Sequence, residues 1–275
     1  MENNISAETL IQIKNFPVLP SIVHNLQKMK ISDDFSVPKI YEEIKKDPTI
    51  LLEIEKIGCS PLYNLPKKNI KFIISFLGIN EVFKIVFMLS AVNTIEVNNP
   101  AMLKEFWRHS YATALWTKFF SKEFNVFNLL HEDLWLAAML HDIGKLVYFK
   151  LFPDEFKSVQ KEKEKKQCLF SDVEKTSSSN LGYSLGIHWN LPNYVLNSCK
   201  NHSIEDLNEI QSRNVQEIVT IANLFAILQY EKLSLETKDK IFNALKLNLN
   251  YKIDEIADKL RENADIINQE VEKLL

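Results

Sequence analysis

The sequence contains little glycine, little cysteine and no large excess of either charge. Five glycines in 275 residues, with few alternating polar and apolar runs, argue against a sheet protein and predict helices almost throughout. Three cysteines without a CxxC pair indicate neither a disulfide framework nor a cysteine zinc site. A formal net charge of -3 gives no overall field that would attract nucleic acid or an anionic membrane. We therefore expect no nucleic-acid partner.

Several common catalytic motifs are also missing. The sequence has no GxSxG, HExxH or GxGxxG, so nucleophile-elbow hydrolases, zincins and dinucleotide folds are not indicated. Lys145 follows Gly144 as at the end of a phosphate loop, but the GxxxxGK[ST] spacing is absent. No signal peptide precedes the first helix, and together with the few cysteines this predicts a cytoplasmic location.

The most apolar stretch, residues 70–92, has nearly the length of a membrane span. Lys71, Glu81 and Lys84 interrupt it, and each charge near a bilayer centre costs about 2.5 to 3.5 kcal/mol on insertion scales. Gly78 is placed to end one helix and allow a second to begin. We expect two buried helices here and no membrane insertion.

A change of composition divides the chain. The segment Thr94–Pro100, with paired asparagines and a proline, is typical of a turn or linker. We predict an N-terminal helical part over residues 1–97 and a second helical part over 98–275. Apolar residues in the last 25 positions repeat at spacings of three and four, which predicts an amphipathic C-terminal helix. That helix either packs on its own domain or forms a homodimer seam.

Three polar residues stand in apolar surroundings. His109 lies in "FWRHSYATA", and His141 directly precedes Asp142 in "LAAMLHDIGKLVYF". Divalent metals in helical proteins are held by imidazoles and carboxylates that project from neighbouring helices. A single buried histidine is more often a hydrogen-bonded core residue than a ligand. The three together favour a metal site more than any one of them does alone, and a structural polar network is the alternative.

The order "FWRHS … LAAMLHDIGKL" resembles the HD superfamily of metal-dependent phosphohydrolases. The segments "FPVLPSIVHNLQKM", "IKKDPTILLEIEKIGCSPLYNLP" and "NIKFIISFLGINEVFKIVF" resemble the HDOD domain, a regulatory branch found in bacterial signalling proteins. The resemblance covers about Phe16 to Leu228. It implies an all-α fold, in which an HD-domain-like helical bundle is preceded by a smaller N-terminal helical bundle.

The resemblance also implies which residues form the site. His109 matches the first histidine of the superfamily, and His141 with Asp142 matches its His-Asp doublet. The distant aspartate of the active members corresponds to Asn223, which offers a neutral oxygen in place of a charge. Two further histidines often complete related sites, and Ser178 stands at the position of one of them.

The other accessory position falls at His202, which Ser203 follows where a second histidine is usual. His188 matches no histidine of the family. With these losses we expect no required cofactor and at most one weakly bound divalent ion: Mn, Mg, Zn, Fe or Ni.

Two functions remain open. In the first, the chain is a non-catalytic regulatory HDOD protein that binds a protein partner, a cyclic dinucleotide or another nucleotide, in motility, chemotaxis or stress control. No receiver, GGDEF or EAL domain is recognised, so a separate protein is expected to carry the signal. In the second, the chain is a metal-dependent phosphohydrolase with a single ion on His109, His141 and Asp142, helped by Asn223. Lys145 or Arg108 would then neutralise developing phosphate charge.

Overall fold

The computed structural model describes residues 5–59, 65, 69–124, 131–207, 214–249 and 251–272. All regular structure within these ranges is helical, and they contain no strand. The described residues form two compact units: those before 17 together with 97–271 make up the larger unit, and those from 17 to 96 belong to the smaller unit. The all-α prediction is confirmed.

Four helices build the smaller unit, and their starts are set by local sequence. They are α2 (Ser21–Ile31), α3 (Val37–Ile44), α4 (Pro48–Gly58) and α5 (Ile70–Ile95). The Ser36 hydroxyl accepts from Lys39 N and begins α3, and Asp47 Oδ1 accepts from Thr49 N at 2.9 Å at the start of α4. Both are N-cap interactions that satisfy free amides of the first turn. The other three helices pack against α5.

Helix α5 is long and apolar enough to cross a membrane by length and composition. Its backbone is broken at Gly78, where φ is 76° and ψ is 165°, a conformation that L side chains rarely adopt. The break separates two helical segments, as the position of this glycine predicted. Ile73, Ile74, Val82 and Val86 are fully buried, so α5 supplies the core of the smaller unit.

The larger unit contains the remaining helices. They are α1 (Ala7–Lys14), α6 (Pro100–Glu123), α7 (His131–Leu140), α8 (Ile143–Leu151), α9 (Pro153–Lys166), a 3₁₀ turn (Phe170–Asp172), α10 (Ser178–His188), α11 (Asn193–Lys200), α12 (Ile204–Leu207), α13 (Val215–Tyr230), α14 (Leu235–Leu249) and α15 (Ile253–Glu272). Helices α6, α7 and α13 pack against one another at the centre. There the Trp116 ring lies 4.9 Å from that of Phe225.

Helices α8 and α10 cross at unusually close range. A Cβ atom added to Gly144 would lie 1.9 Å from the carbonyl oxygen of Ser178 and 2.6 Å from Gly182 N. No side chain can occupy that space, because the obstacle is backbone. The glycine of the "HDIGK" stretch is therefore needed for packing, and it fixes α8 next to the first turn of α10.

The C-terminal helix α15 packs on the larger unit. Its Ile256, Ile267 and Val271 are buried, and Gln229 Nε2 on α13 donates to Ala264 O at 3.1 Å. Lys259 Nζ on α15 lies 2.7 Å from Glu123 Oε1 at the end of α6. This is the first of the two arrangements predicted for this helix; the homodimer seam stays a prediction.

Candidate metal centre

His109, His141 and Asp142 come together, although the first is separated from the doublet by 32 positions. His109 projects from α6, His141 follows α7 and Asp142 directly precedes α8. The Nε2 atoms of the two histidines are 3.2 Å apart. Asp142 Oδ2 lies 3.2 Å from His109 Nε2 and 3.5 Å from His141 Nε2. His141 and Asp142 are buried, while 16% of the His109 side chain is exposed.

These three atoms have the spacing of metal ligands. Nitrogen and oxygen ligands that bind one ion at about 2.0 to 2.2 Å lie roughly 3 to 3.5 Å from each other, as the atoms of this triangle do. They form a group that could hold a metal ion. The donor set of two imidazoles and one carboxylate fits a divalent cation.

The orientation of His141 supports the same conclusion. Its Nδ1 donates to the carbonyl of Ala138 at 2.6 Å, which leaves Nε2 with a lone pair directed at His109 and Asp142. Burial lowers the pKa of His141 to about 3, so the imidazole is neutral near pH 7. Neutral metal-binding histidines characteristically use their second ring nitrogen in this way.

His202 is held similarly and joins the cluster. It lies between α11 and α12, where its Nδ1 donates to Ser198 O at 2.9 Å. Its Nε2 lies 3.3 Å from Asp142 Oδ1. The two atoms are close, but their geometry is not that of a hydrogen bond. The structure thus brings the predicted accessory histidine to the second carboxylate oxygen.

Asn223, on α13, contacts the cluster through His202. Its Nδ2 donates to the His202 carbonyl at 3.0 Å, and this fixes the amide orientation because a carbonyl can only accept. The Asn223 Oδ1 atom is buried and has no hydrogen-bond partner. An orphaned buried oxygen of this kind suits a cation or an ordered water.

Lys145 makes the shortest contact with Asp142. It lies in the first turn of α8, and its Nζ is 2.6 Å from Asp142 Oδ2. Burial by itself would raise the pKa of Asp142, but the Lys145 ammonium and the neighbouring imidazoles hold it well below its usual value. Burial would lower the pKa of Lys145, yet the Asp142 carboxylate raises it above its ordinary value. The pair is therefore charged on both sides.

A groove opens beside His109. Its wide part, which we call the outer groove, has a volume of about 450 Å³ and is lined by Arg108, Lys163 and Glu231 among others. A narrower part of about 110 Å³, the inner cavity, reaches Asp142. Lys163 Nζ pairs with Glu231 Oε1 at 2.9 Å. Sequence reasoning did not identify Lys163 or Glu231 as site residues, because neither lies in a recognised motif.

The other predicted positions are also accounted for. Arg108 borders the outer groove, and its buried Nε has no hydrogen-bond partner. Ser178 is buried at the start of α10 and donates its backbone N–H to Glu174 Oε2 at 3.0 Å. His188 is separate from the cluster, since its Nε2 donates to the carbonyl of Phe16 at 2.8 Å.

The fold and the cluster define an all-helical protein with an HD-type His, His-Asp centre. The sequence profile of the HDOD domain matches residues 16–204, which is more than half of the chain. The chain belongs to the HDOD family.

One relative in sequence and several solved structures are similar to this chain at low identity. An uncharacterised protein of Treponema pallidum (strain Nichols) is 21% identical over 207 residues, which cover 72% of this chain and 39% of that protein. The chain thus spans about two fifths of the length of this relative. An HDOD domain protein of unknown function from Geobacter sulfurreducens superposes with a TM-score of 0.70 at 18% identity, covering 98% of this chain and 99% of the other.

Two further structures share the fold and differ in name. A protein from Shewanella amazonensis SB2B, provisionally named a phosphohydrolase, gives a TM-score of 0.68 at 16% identity over 98% of this chain and 99% of its own. A protein from Marinobacter aquaeolei VT8, provisionally named a signal transduction protein, gives a TM-score of 0.70 at 14% identity. The match covers 98% of this chain and 62% of that protein. At such identities the similarity shows the fold alone.

Proposed function

We propose that this chain is a cytoplasmic bacterial signalling protein whose HDOD module acts by binding and not by hydrolysis. Its ligand would be a partner protein or a nucleotide messenger such as a cyclic dinucleotide, in a pathway of motility, chemotaxis or stress control. Membership of a regulatory family and the provisional name of one structural neighbour support a signalling role.

The charge balance at Asp142 is the observation that carries the proposal. Asp142 is the carboxylate of the His109, His141 and Asp142 group, and its Oδ2 is already paired with the Lys145 ammonium at 2.6 Å. The family resemblance places the second acidic ligand at Asn223, whose amide donates to a backbone carbonyl. A dication would therefore meet a ligand set with almost no net negative charge, which weakens its binding.

A two-metal phosphodiesterase needs still more ligands. Two ions about 3.5 to 4 Å apart clamp the attacking and the leaving oxygen of the displaced phosphate. At the position where the family resemblance places a further histidine, Ser178 is buried against α8 and its backbone amide is bound to Glu174. The described cluster supplies donors for one ion.

The proposal is tested by assaying the purified protein for bound metal and for turnover of bis-(p-nitrophenyl) phosphate and cyclic dinucleotides with added Mn²⁺. We expect folded protein without turnover. Turnover that Asp142→Ala abolishes and His188→Ala retains would overturn the proposal, because His188 lies outside the cluster and controls for unspecific damage.

One observation favours the second candidate, a single-metal phosphohydrolase. The ligand triangle of His109, His141 and Asp142 has the right spacing, and Asn223 Oδ1 remains free for a further contact. A bound ion would supply Lewis acidity and lower the pKa of its water. In that case the chain's own contribution would come from Lys145 in the inner cavity and Arg108 in the outer groove, which would neutralise phosphate charge. The same turnover assay separates the two candidates.

Homodimerisation through α15 is a further proposal. Ile253 and Ile266 expose 42% and 62% of their surface on this helix, so apolar area remains after its packing on the larger unit. Sedimentation of the protein with and without Ile266→Glu tests it; a monomer in both cases would reject the dimer.

A further inference from the structure

Lys145 and a divalent ion would compete for the same oxygen. Asp142 Oδ2 forms the ligand triangle with His109 and His141, and it is also the atom that Lys145 Nζ contacts at 2.6 Å. The ammonium group thus already provides a positive charge where the ion would supply one.

The two cations cannot share this position without a cost. Two positive charges a few Å apart, in a buried site of low dielectric, repel each other strongly. Asn223 and the imidazoles add no negative charge that would offset this repulsion. The group is compatible with a dication once Lys145 has left Asp142.

The structure offers Lys145 a second carboxylate. Glu231 and Lys145 both line the inner cavity of about 110 Å³ and a neighbouring one of about 50 Å³. Glu231 Oε1 binds Lys163 at 2.9 Å, whereas its Oε2 is buried without a hydrogen-bond partner. A lysine ammonium on a flexible four-carbon stem can change its partner by side-chain rotation alone.

We propose that a divalent ion binds His109, His141 and Asp142 by displacing the Lys145 ammonium, which then moves to Oε2 of Glu231. Lys145 is thus a built-in competitor that sets the affinity of the centre for metal. Ion binding would also change the charge of the cavity walls beside the outer groove. The inference goes beyond the proposed signalling function, since it concerns metal affinity and holds whichever partner the protein binds.

The first test measures the dissociation constants of Mn²⁺ and Zn²⁺ by isothermal titration calorimetry on the full chain. Lys145→Gln removes the competing charge, and we expect it to tighten binding of either ion at least tenfold. Lys232→Gln is the matched control, because Lys232 is exposed and lines the outer groove. We expect this control to change the affinity less than threefold.

The second test examines whether Glu231 receives the displaced Lys145 ammonium. Glu231→Gln removes the carboxylate that receives Lys145, so it should weaken metal binding by at least threefold in the wild-type background. In the Lys145→Gln background the same change should have little effect, because no ammonium needs to be accommodated. A pure long-range charge effect of Glu231 would instead appear equally in both backgrounds.

Circular dichroism establishes that each variant is folded, and Lys145→Met replaces Lys145→Gln if the latter is not. The proposal is overturned if removal of Lys145 changes the affinity less than threefold, if Lys232→Gln gives the same gain, or if no variant binds either ion. These outcomes are independent of turnover, so a catalytically active protein would refute the proposed function and leave this inference standing.

Discussion

Replacing Asp142 with alanine should destabilise the larger unit more than any other single change in the cluster. The substitution removes the carboxylate that pairs with Lys145 at 2.6 Å and contacts His109 and His202 at 3.2 and 3.3 Å. The positive charge of Lys145 then stays in a site where 23% of its side chain is exposed. Removal of one member of a buried pair leaves the other uncompensated and typically costs about 3 to 5 kcal/mol.

The partial exposure of Lys145 places the expected cost at the lower end, about 3 kcal/mol, because solvent screens part of the remaining charge. For a unit of this size each kcal/mol lowers the melting temperature by about 2 to 4 °C, so the expected loss is about 6 to 12 °C. Asn223→Ala removes one hydrogen bond, to the carbonyl of His202, and should cost only about 1 kcal/mol.

Differential scanning calorimetry in the presence of a chelator, which removes any contribution from bound metal, measures both variants. A double-mutant cycle with Lys145→Met tests the cause. If the unpaired ammonium is responsible, Asp142→Ala should cost at least 1 kcal/mol less in the Lys145→Met background. Equal melting temperatures for Asp142→Ala and Asn223→Ala, or a cycle without coupling, would refute the reasoning.

Three other predictions follow from contacts elsewhere in the larger unit. Gly144→Ala should destabilise it by at least about 3 kcal/mol in urea unfolding, because the new methyl group would overlap the backbone of α10. Cys199 is buried and donates to Leu140 O at 3.2 Å, and burial raises the pKa of its thiol; it should resist iodoacetamide until the protein unfolds. Hydrogen bonds from Lys259 and Tyr251 lower the pKa of Glu123, so Glu123→Gln should lower the melting temperature at about pH 7 and lower it less at about pH 3.

The sign of the last prediction follows from the folded-state pKa. A carboxyl whose pKa is depressed on folding stabilises the protein above its unfolded value, and this contribution disappears as pH falls through the folded value. A difference in melting temperature between wild type and Glu123→Gln that is the same at both pH values would exclude this explanation.

Gly182→Ala is the control for Gly144→Ala, and Cys59 is the control for Cys199. A methyl group on Gly182 would meet its neighbour at 3.0 Å, a milder overlap, and Cys59 is only partly buried, so it should react in the native state.

Much of the centre could be predicted from sequence, because its residues lie in recognisable motifs. The family resemblance located His109, His141, Asp142 and His202, and the structure places all four in contact. The break at Gly78 could be predicted from one glycine between two apolar runs. The division into residues 1–97 and 98–275 stays a prediction, as do the metal-binding roles of the four residues.

The salt bridge from Lys145 was missed, although a local signal existed. Lys145 follows Asp142 by three positions, a spacing that brings side chains together on a helix, and the pair contacts in that way at the start of α8. The motifs around Lys145 indicate only a group that could contact phosphate. The roles of Lys163 and Glu231 could not be predicted, since their contact depends on how α9 packs beside the end of α13.

The cluster has a structural role that does not depend on hydrolysis. It joins four places in the larger unit: α6 through His109, the α7–α8 junction through His141 and Asp142, the end of α11 through His202, and α13 through Asn223. Loss of Asp142 would leave the Lys145 ammonium without its carboxylate partner, which is costly in a largely buried site. The Asp142–Lys145 pair therefore contributes to folding whether or not the centre hydrolyses a substrate. His141 and Asp142 thus have a structural role in the larger unit, and we propose that the charges around Asp142 set the affinity of the centre for a metal ion.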